Sequence, residues 1–184
     1  MKTTYIAKTL FNLEEVLAEE LKELDFKDVQ ILNRAVSFTG DKKDLYRANY
    51  LLRTAIKIIM PIEKGTVEKE QQLYDFIYSI NWSKYLGLQD TFAIDAAVNS
   101  EHFNHSKYVG LKTKDAIVDQ FRNKTGKRPN VDLTLPQIRI NVHIYKNEIT
   151  ISLDSSGESL HKRGYRSLQG IAPLNEVLAA GLIR

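Results

Sequence analysis

The first sixty residues contain the feature that most restricts the fold, an ordered alternation of strand and helix patterns. A β-prone run at residues 3–8 precedes a segment with apolar residues at helical spacing, and short β-prone runs follow at 28–32 and 35–39. A second helical pattern begins after Asp41, whose carboxylate suits a helix cap, and the segment "TAIKIIMPI" then alternates as a strand. This β-α-β-β-α-β order predicts a ferredoxin-like unit.

Two residues in this region predict where elements begin or end. Asn12 is followed by Glu15 three positions later, which resembles a capping box, so we expect Asn12 to cap the first helix. Pro61 has no backbone N–H to donate to a sheet, so we expect its strand to end there or to lie at an edge.

The order of elements changes after the loop "EKGTVEKE". Leu73, Phe76, Ile77 and Ile80 mark a helix, residues 82–86 a shorter helical piece, and residues 92–98 an alternating strand. The segment "HSKYVGLKTKDAIVDQF", residues 105–121, then reads as one longer helix.

A β-hairpin is predicted at the end of this second unit. In "IRINVHIY", isoleucines and a valine alternate with polar residues, and Lys146 and Asn147 then make a tight reversal into "EITISLD". We therefore expect strands at Ile138–Tyr145 and Glu148–Asp154. The second unit has the order α-α-β-α-β-β, and the whole chain is expected to be α+β, a ferredoxin-like domain followed by an α/β domain.

The composition excludes several classes of protein. The 184 residues are 43% hydrophobic and 27% charged, which is typical of a globular chain, and a net charge of only +3 leaves any basic surface to local patterning. The absence of cysteine excludes disulfides, thiolate zinc sites and iron–sulfur clusters. No signal-peptide core or 18-residue apolar run occurs, so we expect a cytoplasmic protein without membrane association.

The motifs of an enzyme are also missing. No glycine-rich turn that would let a backbone approach S-adenosylmethionine is present, and no two prolines are adjacent as in Asn-Pro-Pro or Asp-Pro-Pro. His102 and His105 could begin a metal site, but no third ligand is evident in the sequence. We therefore expect no catalytic, cofactor-binding or metal-binding residue in this chain, and no catalysis by this chain alone.

Basic residues on the longer helix offer a different chemistry. Lys107 and Lys114 are seven residues apart, about 20° from one another around the helix, and border its apolar side, while Lys112 and Arg122 fall opposite. They could meet phosphate beside the positive helix terminus, or their stems could simply cover apolar surface. Both interpretations stay open from the sequence.

Further basic and polar residues follow that helix. Arg139 and Asn141 alternate with the isoleucines and could contact phosphate or 2′-hydroxyl groups, or could lie on an ordinary solvent face. The densest basic run consists of His161, Lys162, Arg163 and Arg166. The candidate RNA-binding residues are Lys107, Lys114, Lys124, Lys127, Arg128, Arg139, Asn141, Lys162, Arg163 and Arg166. We expect Lys107, Lys114 and Arg139 to line one surface, with the basic run at its edge.

Several sequence blocks also resemble a known family. The blocks "LKTKDAIVD", "RINVHI" and "ESLHKRGYR" occur in order at family-like spacing, followed by "APLNEVLAAGL" and preceded by "NLEEVLAEEL" and "DLYRANYLLRTA". The chain thereby resembles the N-terminal ferredoxin-like and THUMP region of bacterial methyltransferases that act on guanine N2 of 23S, large-subunit ribosomal RNA.

The resemblance implies a division of the chain into three parts. These are a ferredoxin-like domain at residues 1–62, a THUMP RNA-binding domain at 63–154, and a basic linker with a first helix at 155–184. In the family this last part leads into a Rossmann-like methyltransferase domain, which is missing here. From the pattern alone, the apolar helix "LNEVLAAGL", which is predicted to begin at Pro173, could equally dock on the core of this chain.

The resemblance further implies partners and a cofactor. The partners would be structured RNA, specifically 23S rRNA, and the protein's own catalytic domain, with S-adenosylmethionine bound by that missing domain. DNA and membranes are not expected as partners. The alternative is a non-catalytic protein-interaction or linker module whose basic residues make no direct contact with RNA.

Overall fold

The computed structural model describes residues 2–164 and 174–184 and divides the chain into two compact units. Of these, residues 2–60, 154–164 and 174–184 form the first unit, and residues 61–153 form the second. Each unit has its own cluster of buried apolar side chains. None of the helices in the described ranges combines the length and apolar character that a membrane span needs.

The first unit has the ferredoxin-like order predicted from the sequence. Its elements are β1 (Thr3–Lys8), α1 (Glu14–Glu23), β2 (Lys27–Leu32), β3 (Ala35–Gly40), α2 (Lys42–Leu51) and the first part of β4 (Lys57–Thr66). The strands lie in the order β2-β3-β1-β4, and every pairing among them is antiparallel. The expected fold class is therefore confirmed in this half.

Helices α1 and α2 of the first unit pack on one sheet face. Leu17 and Leu21 of α1 and Ala48 of α2 are fully buried in one cluster with Phe38 and Ile58 of the strands. Alternation along β3 sends every second residue into that cluster, which fixes the register of the sheet.

The predicted element ends are partly confirmed. Asp41 caps α2 with its carboxylate accepting from the Asp44 N–H at 3.0 Å, as expected. The cap predicted at Asn12 is wrong: Asn12 has a φ of +67°, and α1 begins after Leu13 without a side-chain cap. Of the two alternatives at Pro61, a strand end is wrong, since β4 runs on to Thr66.

The second unit carries the helices and strands that hold the candidate site. Its remaining elements are α3 (Glu70–Ser79), a 3₁₀ turn (Trp82–Lys84), β5 (Thr91–Asn99), α4 (Ser106–Thr125), β6 (Asn130–Val131), β7 (Ile138–Tyr145) and β8 (Glu148–Asp154). The strands follow the order β4-β8-β7-β5-β6, with β7–β8 antiparallel and β5–β7 parallel. The predicted hairpin is confirmed, while the short strand β6 was expected to be loop.

The core of the second unit forms between α4 and the sheet. Ile117 and Phe121 of α4 are buried together with Ile140, Val142 and Ile144 of β7. Gly110 lies where α4 crosses β5, because a Cβ built there would sit 3.9 Å from Ala96 and Ile94 side chains. Packing of this kind fixes the face that α4 can present to solvent.

The last helix, α5 (Glu176–Ile183), packs against α1 within the first unit. Asn175 caps it by accepting from the Val177 N–H at 2.9 Å. A Cβ at Gly181 would lie 2.7 Å from a terminal methyl carbon of Leu13, so a larger residue there would require the Leu13 side chain to shift. The helix start predicted at Pro173 lies outside the described residues.

A buried carboxylate ties α1 to the segment after α2. Glu20 is only 3% exposed, and its carboxylate accepts hydrogen bonds from the backbone N–H groups of Arg53 and Thr54 and from the Thr54 hydroxyl. Burial of a charged group is tolerated here because three donors satisfy it.

We predict that Glu20→Ala lowers the free energy of unfolding by about 2–4 kcal/mol, because it leaves the two buried donors of Thr54 and the part-buried Arg53 N–H without a partner. Chemical denaturation followed by circular dichroism measures this loss. The exposed Glu19 on the same helix supplies the matched control, since Glu19→Ala should stay within about 0.5 kcal/mol of wild type. Equal losses in the two variants would contradict the assigned role of Glu20.

Candidate nucleic-acid interface

A concavity of about 520 Å³ lies on the solvent side of α4 in the second unit. α3 contributes Tyr74 to its wall, and the segment after α4 contributes residues 128–131. The remaining lining residues come from α4: Lys112, Lys114, Asp115, Val118, Asp119 and Arg122. Four cationic side chains (Lys112, Lys114, Arg122 and Arg128) and two carboxylates meet here, so the concavity has an excess of two positive charges.

The charges in the concavity are held by weak, solvent-accessible pairs. The Lys114 ammonium lies 2.7 Å from an Asp115 carboxylate oxygen, and the Arg122 guanidinium lies 3.2 Å from Asp119. Pairs exposed to this degree contribute little free energy, between about 0 and 1 kcal/mol. These cations can therefore exchange a carboxylate for a stronger anionic ligand at small cost.

Tyr74 closes one side of the concavity and joins its two helices. Its hydroxyl donates to Asp119 at 2.9 Å, and the Lys112 ammonium lies 5.4 Å from the centre of its ring. Burial raises the pKa of Tyr74 to about 12, and the hydrogen bond to the Asp119 carboxylate acts in the same direction because it favours the protonated phenol. Sequence reasoning missed Tyr74, because only tertiary packing places α3 beside this face of α4.

The helical-wheel separation of the lysines does not hold in space. Lys112 and Arg122 were expected opposite Lys114, yet all three line the same concavity. The structure also brings Arg128 to it, since Gly126 ends α4 with a φ of +72° and the chain turns back. Long side chains reach around the helix, so an angular difference between Cα positions does not separate their charged ends.

The other lysines expected at this site lie outside the concavity. Lys107 is exposed near the start of α4 but is not among the lining residues. Lys124 and Lys127 are exposed around the end of α4 and are not lining residues either. Of the predicted residues, the structure brings Lys114 and Arg128 together.

Arg139 and Asn141 lie on the other face of the sheet. Along β7, Ile140 and Val142 point into the core against α4, so their neighbours must point away from that helix. The Arg139 guanidinium lies 3.3 Å from Asp95 of β5, and Asn141 is only 9% exposed. The expectation that Arg139 shares one surface with Lys107 and Lys114 is therefore wrong, because strand alternation separates them.

The basic run divides into residues with different surroundings. Arg163 is half-buried in the first unit and donates to backbone carbonyls at the end of α2: Asn49 at 3.0 Å, Tyr50 at 2.7 Å and Leu52 at 2.6 Å. Its Nε donates to Leu160 at 2.9 Å. These donors satisfy helix-end carbonyls, so Arg163 holds the segment in place instead of offering its guanidinium to phosphate.

The remaining members of the run are the exposed Lys162, His161, whose Nδ1 lies 2.7 Å from the Ser159 hydroxyl, and Arg166. Arg166 lies outside the described residues. His102 and His105, weighed as metal ligands, join no group of three potential ligands within residues 2–164 and 174–184.

Comparison with known families identifies both units. Residues 67–154 match the THUMP domain, and residues 4–59 match the RlmL ferredoxin-like domain. The chain carries a THUMP domain preceded by an RlmL ferredoxin-like domain. The resemblance seen in the sequence blocks is confirmed by these two matches and by the relatives that follow.

Named relatives cover nearly all of this chain. "Ribosomal RNA large subunit methyltransferase K/L" of Syntrophotalea carbinolica is 39% identical over 171 residues, which is 93% of this chain and 24% of that protein. "Putative RNA methyltransferase slr0064" of Synechocystis is 40% identical over 179 residues, which is 97% of this chain and 47% of that protein. The chain thus spans about a quarter and about half of these relatives.

A solved structure shares the fold over the same range. The crystal structure of SMU.472, described as "a putative methyltransferase complexed with SAH", superposes with a TM-score of 0.82 at 26% identity. The match covers 99% of this chain and 48% of that protein. The fold of this chain is therefore shared by that protein over the matched range.

The raised pKa of Tyr74 gives a direct test of the concavity. We predict that the difference between the alkaline absorbance titrations of wild type and Tyr74→Phe has a midpoint near pH 12. Asp119→Asn should move that midpoint down, because it removes the carboxylate that favours the protonated phenol. A midpoint near the ordinary value for tyrosine would show that the ring is not held against Asp119.

Proposed function

We propose that this chain is the RNA-binding part of an S-adenosylmethionine-dependent RNA methyltransferase, and that the full-length protein modifies guanine N2 of large-subunit ribosomal RNA. The observation that carries the proposal is the cationic concavity on α4 within the THUMP domain. The names of the relatives, which specify ribosomal RNA and RNA methyltransferases, supply the substrate class.

The concavity suits the RNA backbone better than it suits a small ligand. Its cations sit on an open helix face and on the following turn, which permits contact with phosphates along a strand. Each phosphate that replaces Asp115 or Asp119 as a partner also releases bound counterions, which supplies favourable free energy. Lys114 and Arg128 are the residues that we assign to phosphate, and a guanidinium can bind it with two parallel hydrogen bonds.

The residues of this chain do not fit S-adenosylmethionine. The turns that lead from a strand into a helix at 9–13, 67–69 and 100–105 contain no glycine, and the side chains there obstruct the close backbone approach of a glycine-rich turn. The connection after Gly40 has a single glycine, and the glycines of the sequence 155–175 are six or seven residues apart, so neither has the Gly-x-Gly spacing of such a turn. We therefore assign the cofactor and methyl transfer to a separate catalytic domain of the full-length protein. We place that protein with its ribosomal substrate in the cytoplasm.

Salt dependence tests the RNA-binding role. We predict that binding of this chain to a structured ribosomal RNA fragment weakens with salt by a log–log slope of about −0.7 to −0.9 per phosphate contacted. The double substitution Lys114→Ala, Arg128→Ala should reduce the magnitude of that slope by about one to two units, because it removes two phosphate contacts. Fluorescence anisotropy over a salt series gives the measurement.

Two exposed lysines of the first unit provide a control of equal charge. Lys22→Ala with Lys27→Ala lowers the net charge by the same amount and should leave the slope nearly unchanged. Equal effects of the two doubles would mean that charge acts diffusely. RNA binding that is absent at low salt would instead favour the protein-interaction or linker alternative.

The cofactor assignment has a separate test. Calorimetric titration of this chain with S-adenosylmethionine should show no binding heat, because the chain has no glycine-rich turn to accept it. The full-length protein serves as the positive control. Micromolar binding by this chain alone would contradict the assignment.

A further inference from the structure

Two tyrosines on α2 of the first unit are exposed far beyond what the fold requires. Tyr46 is 63% exposed and Tyr50 is 81% exposed. They are four residues apart, so they lie on one side of the helix with Cβ atoms roughly 6 Å apart. The buried side of α2 points the other way, through Ala48, with Leu45 packed against the same core.

These two rings differ from other tyrosines in the part of the chain that the structure describes. Tyr5 packs against Phe38, Tyr85 against Trp82, and the Tyr108 hydroxyl donates to Glu70. Among residues 2–164 and 174–184, the rings of Tyr46 and Tyr50 contact no other ring or cation, and their hydroxyls make no hydrogen bond. Their apolar faces are open to solvent without a stabilising role, which is typical of a surface that receives a ligand.

The residues around the two rings are positively charged. Lys42 and Lys43 are exposed one turn before Tyr46 and fall within the same arc of about 100°. At the other end of α2, Arg163 donates to the Tyr50 carbonyl, and the neighbouring Lys162 is exposed. No aliphatic side chain on α2 is exposed beside the rings, so the face lacks what an apolar protein partner would need.

We propose that Tyr46 and Tyr50 form a stacking platform for unpaired RNA nucleotides, with Lys42 and Lys43 on the flanking phosphates. The inference rests on the proposed RNA-binding function and adds a second site to it, in the ferredoxin-like unit. Aromatic rings stack on any exposed base face, and interleaved cations follow the backbone of a single strand. Paired bases in a duplex have no free face, so this platform selects unpaired segments.

The experiment compares an oligoadenylate of about eight nucleotides with a blunt RNA duplex of equal length. Wild type should bind both at low salt. Tyr46→Ala with Tyr50→Ala should weaken oligoadenylate binding by at least about tenfold and leave duplex binding within about twofold. Tyr46→Phe with Tyr50→Phe keeps the rings and should bind oligoadenylate like wild type, while Tyr145→Ala, an exposed tyrosine of the second unit, should change neither.

The outcomes separate this inference from the function on which it rests. If wild type binds the duplex and the alanine double variant binds oligoadenylate as well as wild type does, the platform is overturned and the proposed function stands. Equal weakening on both RNAs also overturns it, because base stacking cannot act on a duplex. Binding of neither RNA by wild type overturns both proposals. Circular dichroism of the alanine double excludes unfolding, which is not expected since both rings lie outside the core.

Discussion

The packing of α4 on β7 decides which polar side chains of the second unit can act together. Once Ile140 and Val142 are buried against Ile117, alternation along the strand sends Arg139 to the opposite sheet face. The same packing leaves the outer side of α4 to solvent, where its cations meet those of the following turn. The candidate interface is therefore set by an apolar contact that contains none of its charged residues.

Much of the fold follows from local patterns in the sequence. The hairpin strands Ile138–Tyr145 and Glu148–Asp154 were predicted with the bounds observed, because strict alternation and a tight reversal are both local signals. The cap at Asp41 was also predicted from a local signal, an aspartate directly before a helical pattern. Asn12 satisfied the same pattern and failed, since its left-handed φ positions the chain ahead of Leu13, which is buried. A match to a capping motif does not take into account that the core must bury Leu13.

The candidate site was less predictable, because its members are joined only by tertiary structure. Tyr74 and Arg128 come from segments on either side of α4, and no spacing in the sequence brings them together. The basic run, in contrast, looked in the sequence like a ligand-binding site although one of its members has a structural role. Arg163 stands among cations in the sequence, yet its guanidinium satisfies carbonyls at the end of α2, where the helix dipole favours positive charge. Charge density along a chain does not distinguish a ligand-binding cation from a structural one.

The two proposed contacts with RNA differ in their physical character, and this difference matters for specificity. Phosphate contacts at Lys114 and Arg128 supply affinity that falls with salt and carries no information about base pairing. Stacking on Tyr46 and Tyr50 depends weakly on salt and requires an open base face. An enzyme that modifies a single nucleotide in a folded RNA needs both kinds of contact, because every nucleotide of the RNA carries a phosphate. Under the two proposals, phosphate contacts would not distinguish one position on the RNA from another, and stacking would favour positions with an unpaired base.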